Sequence, residues 1–234
     1  QWLATRSGED VLRELAQRSA AGDACPAFCF GPDGGDVDAG VVHAAAGSIS
    51  GVRHFVEASP ATTEWVVAVA DAGNPGKAGL ALVARGAAGV GAIAQPGLAA
   101  QPWQSLRFDQ VEAQRVELDA QRVAALARLA RLGLLARALG AARRAFEMVV
   151  EHARTRRQFG QPIGRFQAIQ HKLANGLIAL EASSLLLDDA AQRADRDVAD
   201  WPAAADAAAA FAVAALRQLE LEIHHAFGAI GFSE

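Results

Sequence analysis

The sequence predicts an α+β protein: a small antiparallel β-domain followed by an antiparallel helical bundle. Three observations carry this. Between Val41 and Val116 short β-prone runs recur without intervening helices. From Asp119 onward the apolar residues return at three- and four-residue steps over long stretches. Short breaks at Gly160 to Gly164 and Asp197 to Pro202 divide that region into three helices, which folds them back on one another.

The elements follow in order. Val11, Leu12 and Leu15 stand at helical spacing, so Gly8 to Ala21 reads as a short helix. Gly31 to Gly40, rich in Gly, Asp and Pro, reads as a loop. The predicted strands are Gly51 to Val56, Trp65 to Ala70, Gly79 to Val83, Gly89 to Ala94 and Ser105 to Phe108, separated by turns such as Asp71 to Gly76 and Gln95 to Gly97. They suit a small antiparallel sheet or barrel. Leu126, Leu129, Leu132, Leu135, Leu139, Phe146 and Val150 define a helix over Asp119 to Arg156. A second runs from about Phe166 to Ala194, with Ile169, Leu173, Leu177 and Leu180 on one face, and a third ends near Phe227. Asp200 is placed to cap the third, with Pro202 in its first turn. The expected partition is 1–22 as the remnant of an N-terminal helical region, 23–118 as the β-domain and 119–234 as the bundle. The bundle is apolar over more than one stripe, so packing against another subunit is expected.

Composition bounds the function. The 234 residues are 52% hydrophobic and 21% charged, with a net charge of -4, as in globular proteins. The densest basic run, Arg154 to Arg157, is too short for a nucleic-acid stripe. Cys25 and Cys29 have no second pair to complete a zinc site and read as reduced thiols of a cytoplasmic protein. No apolar stretch is long enough to span a bilayer, and no signal peptide is visible. Gln1 rather than Met stands first, so the natural N-terminus is expected upstream.

The segment from Arg154 to Ala174 reads R-x-Q-F-G at Arg156 to Gly160, then P-I at Pro162-Ile163, then F-Q-x-I-Q-H-x-L-A from Phe166. It resembles the signature of the acyl-CoA dehydrogenase family. Leu139 to Phe146 resembles the helix before that signature, and Phe227 to Glu234 resembles the family's G-G-x-G-F/Y-x-x-E segment. The resemblance covers nearly the whole chain; most of the family's N-terminal helical domain and the tail beyond Glu234 are missing. It implies FAD as cofactor, an acyl-CoA thioester as substrate and oxidation of its α–β bond, with a carboxylate removing the α-proton and the β-hydride passing to the flavin. It also implies a homo- or hetero-oligomer in which Arg156, Gln158 and Phe159 reach the FAD of a neighbouring subunit, with Gly228 contributing there. A guanidinium fork suits a pyrophosphate. His225 stands where the family has Gln and can still donate to a phosphate or ribose.

The departures concern the chain's own flavin. The family's T-E-P-x-x-G-S-D stretch is replaced by Phe30 to Asp36, keeping only Pro32, Gly34 and Asp36 as remnants. In its G-x-K-x-W-I-T/S stretch, Phe55 replaces the Trp and Glu57 the hydroxyl residue. A carboxylate there would need desolvation beside the ring and would oppose its reduction. The position of the catalytic base in one family branch falls on Ala130, followed by Arg131; in the larger branch it lies beyond Glu234. Glu147 and Glu151 read as surface carboxylates, and Glu234 matches a position that is not the base. His224 reads as a helix-end residue, and His152 and His171 as structural or exposed. No catalytic residue and no metal ligand is assigned. The expectation is a subunit of a heterotetrameric enzyme, similar to those that oxidise steroid side chains, which completes a partner's FAD site. The alternatives are a self-sufficient homotetramer with its catalytic Glu beyond residue 234, and a cofactor-free structural member of the fold.

Overall fold

The structure is a computed structural model and describes residues 10–30, 42–45, 47–57, 59–71, 78–95 and 103–228. The Gly31 to Gly40 loop, with Pro32, Gly34 and Asp36, lies outside these residues, as does the segment from residue 229 to Glu234. The chain divides into two compact units, Gln1–Ala127 and Arg128–Glu234.

In the first unit a helix, α1 (Asp10–Ala21), precedes eight strands: β1 (Pro26–Cys29), β2 (Val42–Ala45), β3 (Ser48–Glu57), β4 (Glu64–Asp71), β5 (Ala78–Ala84), β6 (Val90–Ala94), β7 (Trp103–Glu112) and β8 (Gln114–Leu118). They form one sheet in the order β6-β7-β3-β2-β4-β5-β8, with β1 also on β4. The expected antiparallel pairing holds except at β4, where β1 and β2 both run parallel to it. β1 ends opposite Val67, and the pairing of β2 begins with His43 opposite Ala70. The buried Arg53 bridges this interruption, donating from Nη2 to the Ala68 carbonyl at 2.7 Å. A charged donor thereby takes up a carbonyl at a break in the ladder, where an unmet polar group would be costly.

Strand alternation sorts the side chains into two cores. Trp65, Val67, Val69, Ile49, Leu106, Phe108 and Cys29 share one face. Val66, Ala68, Leu80, Val116 and Leu118 share the other, with Leu12 and Leu15 of α1 and Leu126 packed on it. Sequence periodicity missed β1, β2 and β8, which at four or five residues are too short to show alternation.

The long helices are α2 (Ala120–Thr155), α3 (Gln167–Asp195) and α4 (Trp201–Phe227). Asp119 caps α2, its carboxylate accepting from the Arg122 N–H at 2.7 Å. Asp200 occupies the position before α4, with Pro202 in the first turn, but it makes no side-chain cap bond. Its carboxylate instead accepts from Arg193 Nη1 at 2.8 Å, a charge-assisted bond that outcompetes a backbone N–H. Within the second unit the helices are tied by Arg128 to Asp206 at 3.0 Å and Arg143 to Glu181 at 2.9 Å. They pack through Leu132, Leu139, Phe146, Leu180, Leu219 and Ile223. Ile178, Leu185 and Val213 remain exposed.

Candidate cofactor-contacting site

The site begins where α2 stops. The Arg156 N–H still bonds the His152 carbonyl at 2.8 Å. A two-stranded hairpin then forms: β9 (Arg157–Gln158) against β10 (Gln161–Pro162). Its turn residues, Phe159 and Gly160, have φ of 50° and 80°. Two successive positive φ values give the tight turn whose twist matches paired strands, and the second falls on Gly, which takes it without steric cost. Phe159 has no such freedom, and its left-handed backbone costs about 1–2 kcal/mol. The hairpin is closed by Arg157, whose Nη2 donates to the Gly160 carbonyl at 2.9 Å, and by the Ile163 N–H on the Arg156 carbonyl at 2.8 Å.

This turn directs the side chains outward. Phe159 is 93% exposed, touching Phe166 edge-on at 6.2 Å between ring centroids. Arg156 and Gln158 are exposed. Among the described residues no side-chain hydrogen bond or ion pair holds the Arg156 guanidinium. Its neighbours are engaged: Arg157 in the turn, Arg154 facing Glu151 at 3.9 Å. A strained, exposed aromatic beside a cation with no side-chain partner among the described residues is costly alone and suits a ligand that supplies both an anion and a flat surface.

His225 and Gly228 come from the end of α4. Gly228, with φ 69° and ψ -143°, terminates the helix, its N–H bonding the carbonyls of His224 and His225. The His225 ring lies 3.8 Å from Glu222, on the exposed side of the helix. The ring of Phe227 packs 4.9 Å from that of His152, one turn before Arg156. The C-terminal ends of α2 and α4 therefore meet, and the hairpin and Gly228 lie at one end of the bundle.

Sequence reasoning missed the polar centre beside them. Glu222 accepts from Lys172 of α3 and from Gln218 at 3.0 Å. The hydrogen bond from Lys172 holds the Glu222 carboxyl below its ordinary range, with that lysine's charge adding to the effect. The signal was available in the i, i+4, i+7 spacing of Gln218, Glu222 and His225; what the sequence could not supply was Lys172 from another helix.

In the first unit, at the positions that the sequence resemblance assigns to a flavin face, Phe55 is 53% exposed with φ 57° at a bulge of β3. Glu57 is half-buried, and Phe28 stacks on Phe30 at 5.7 Å. Among the described residues nearby, His54 Nδ1 is shared with Ser105 Oγ at 2.8 Å, and Gln95 Nε2 donates to the same hydroxyl. A carboxylate and bulky phenyl rings in place of hydroxyl donors fit a flavin poorly. The outward donor set of the hairpin fits a dinucleotide pyrophosphate. A cavity of about 170 Å³ between α1 and the sheet, with Arg18 and Glu64 paired at 2.6 Å in its lining, contains none of the five candidate residues. Among the described residues no three His, Cys, Asp or Glu side chains gather as a metal site, and no helix is long and apolar enough to cross a membrane. Glu147 and Glu151 are exposed and paired locally with Arg144 and Arg154.

A mixed sheet followed by three long helices, with an arginine-bearing hairpin where the first of them ends, is an arrangement that recurs in solved structures. Residues 122–234 match the family described as acyl-CoA dehydrogenase, C-terminal domain. Acyl-CoA dehydrogenase FadE27 of Mycobacterium tuberculosis is 36% identical over 152 residues, covering 64% of this chain and 40% of FadE27. A Tcur3481-Tcur3483 steroid ACAD variant superposes with TM-score 0.86 at 24% identity, over 99% of this chain and 64% of its own. The ChsE4-ChsE5 complex of Mycobacterium tuberculosis superposes with TM-score 0.74 at 25% identity, over 92% and 59%. The helical region of this chain, residues 122–234, is thus similar to the C-terminal domain of acyl-CoA dehydrogenases, and the chain spans less than two thirds of the length of each of these relatives.

Proposed function

We propose that this chain is a subunit of a flavin-dependent acyl-CoA dehydrogenase that completes the FAD site of a partner subunit. The observation that carries the reading is the hairpin: Arg156, Gln158 and Phe159 face away from their own chain, and Phe159 is almost wholly exposed at a strained turn. Arg156 would hold the pyrophosphate of the partner's FAD as a forked donor, Gln158 would donate beside it, and Phe159 would pack near the adenine end. His225 would donate to a phosphate or ribose, and Gly228 would bring main chain close. The bound flavin supplies the hydride acceptor for desaturation of an acyl-CoA thioester. Arg156 and its neighbours bind and orient it.

The asymmetry between an outward donor set and a poor flavin face at Phe55 and Glu57 favours a sister subunit over a self-sufficient homotetramer. The ChsE4-ChsE5 structure is a complex of two differently named chains, which supports a heteromeric assembly here. Exposed Ile178, Leu185 and Val213 on the helices also support association. A steroid-derived acyl group and a cytoplasmic setting complete the reading, and the partition at residues 22 and 118 belongs to it.

The test is flavin absorbance of the purified chain alone and after co-expression with the product of its neighbouring gene. The yellow band is expected in the co-expressed complex only. About one FAD per protomer in the chain alone would overturn the reading in favour of the homotetramer, and no flavin in either preparation would favour the cofactor-free member.

A further inference from the structure

β6 ends the sheet. Among the described residues it pairs with β7 alone, and Gly91, Ala92, Ile93 and Ala94 are all exposed. Ile93 is 68% exposed. The opposite edge, β8, carries Arg115 and Glu117, with Arg115 3.6 Å from Asp71. Charge of that kind blunts an edge strand, whereas Val90-Gly-Ala-Ile-Ala94 has none.

The hydrogen-bond register shows which groups of β6 face outward. The Gln95 N–H donates to the Trp103 carbonyl at 2.8 Å, and the Asp109 N–H donates to the Gly89 carbonyl at 3.0 Å. In an antiparallel pair the bonded positions alternate. Gly91 and Ile93 therefore bond β7, and Ala92 and Ala94 turn N–H and C=O to the free side. Val90 offers its carbonyl there, its N–H being used on Ala87 at 3.3 Å.

We propose that β6 of two copies of this chain pair antiparallel about a two-fold axis through Ala92, joining two β-sheets edge to edge. In that register Ala92 exchanges both bonds with Ala92 of the second copy, and each Ala94 N–H meets the Val90 carbonyl opposite. The side chains are self-complementary: Ile93 stands opposite Gly91 and Val90 opposite Ala94, a large residue against a small one at each off-axis pair. No charge is set against its own copy. A single isologous patch is what a two-fold dimer needs. Two five-residue edges bury far less than the roughly 1,200 Å² of a stable interface, so the contact is weak and forms at high protein concentration. It uses no residue of the hairpin or of the exposed helical positions named above.

The experiment compares the whole chain at low and high concentration by sedimentation velocity and by amide hydrogen exchange. Ala92 and Ala94 amides are expected to slow at least several-fold at high concentration, with Gly91 and Ile93 unchanged because β7 already holds them. Ala92→Pro removes an outward N–H without touching the β7 ladder and should abolish the slowing. Ile93→Lys, on an already exposed side chain, should do the same by like-charge repulsion. In a Cys25→Ser background, Ala92→Cys should cross-link between copies with a short bis-maleimide, and Gln114→Cys on the opposite edge should not. Amides of Ala92 and Ala94 that exchange at the same rate at both concentrations, or a slowing of the Ala94 amide that persists in both Ala92→Pro and Ile93→Lys, would overturn the proposal.

Discussion

The imidazole of His152 and the ring of Phe227 lie 4.9 Å apart, tilted by 44°. The two residues are 75 positions apart in sequence, and they fasten the end of α2 to the end of α4 at the point where the hairpin begins. Replacing Phe227 with Ala removes this contact from a half-buried position. Stability should fall by about 2 kcal/mol, below the range for a fully buried phenyl ring. Urea unfolding of the second unit's helical signal is the measurement.

Arg156→Ala should weaken FAD retention in the co-expressed complex by roughly 10- to 100-fold, the worth of a charge-assisted bond pair. Arg156→Lys should recover part of it, since it keeps the charge and loses the fork. Arg157→Ala acts differently: it frees the Gly160 carbonyl and loosens the turn. Titration of FAD into the apo-complex separates them, with unchanged melting for Arg156→Ala and a small loss for Arg157→Ala.

Gly228→Ala should cost about 1–3 kcal/mol although nothing lies within 4 Å of an added Cβ. The penalty is conformational, because φ 69° with ψ -143° is closed to residues with a side chain. Thermal melting checks it, and a melting temperature equal to the parent's would refute the assigned geometry.

Glu222 gives the bundle a pH dependence. Its folded carboxyl is held below the ordinary value of 4.5, chiefly by the Lys172 hydrogen bond. A depressed folded value means the stabilisation is complete above the unfolded carboxylate range and is lost as pH falls through the folded value. The urea midpoint should therefore drop below about pH 4.5. Glu222→Gln should flatten that part of the curve.

The two cysteines should react unequally. Cys29 is buried, and burial pushes its thiol up to about 12, the positive charge of Arg53 opposing only part of the shift. Cys25 is exposed. A thiol reagent at neutral pH should label Cys25 in the native protein and Cys29 only in denaturant. Two rapid labelling events in the native state would contradict this burial.

The sequence by itself determined the order of β-region and bundle, the long helices and the R-x-Q-F-G signature. These rest on local periodicity and on contiguous residues, which a linear reading sees. The tertiary structure decided what depends on residues far apart in sequence. The parallel seating of β1 and β2 on β4, bridged by Arg53, has no periodic trace. Asp200 sits where a cap was expected, yet Arg193 takes its carboxylate. The outward aim of Arg156 and Phe159 comes from two successive positive φ values in a hairpin too short to predict. Lys172 meets Glu222 only because α3 and α4 pack together. In each case the deciding interaction is a contact between elements, and its energy exists only once the chain has closed on itself.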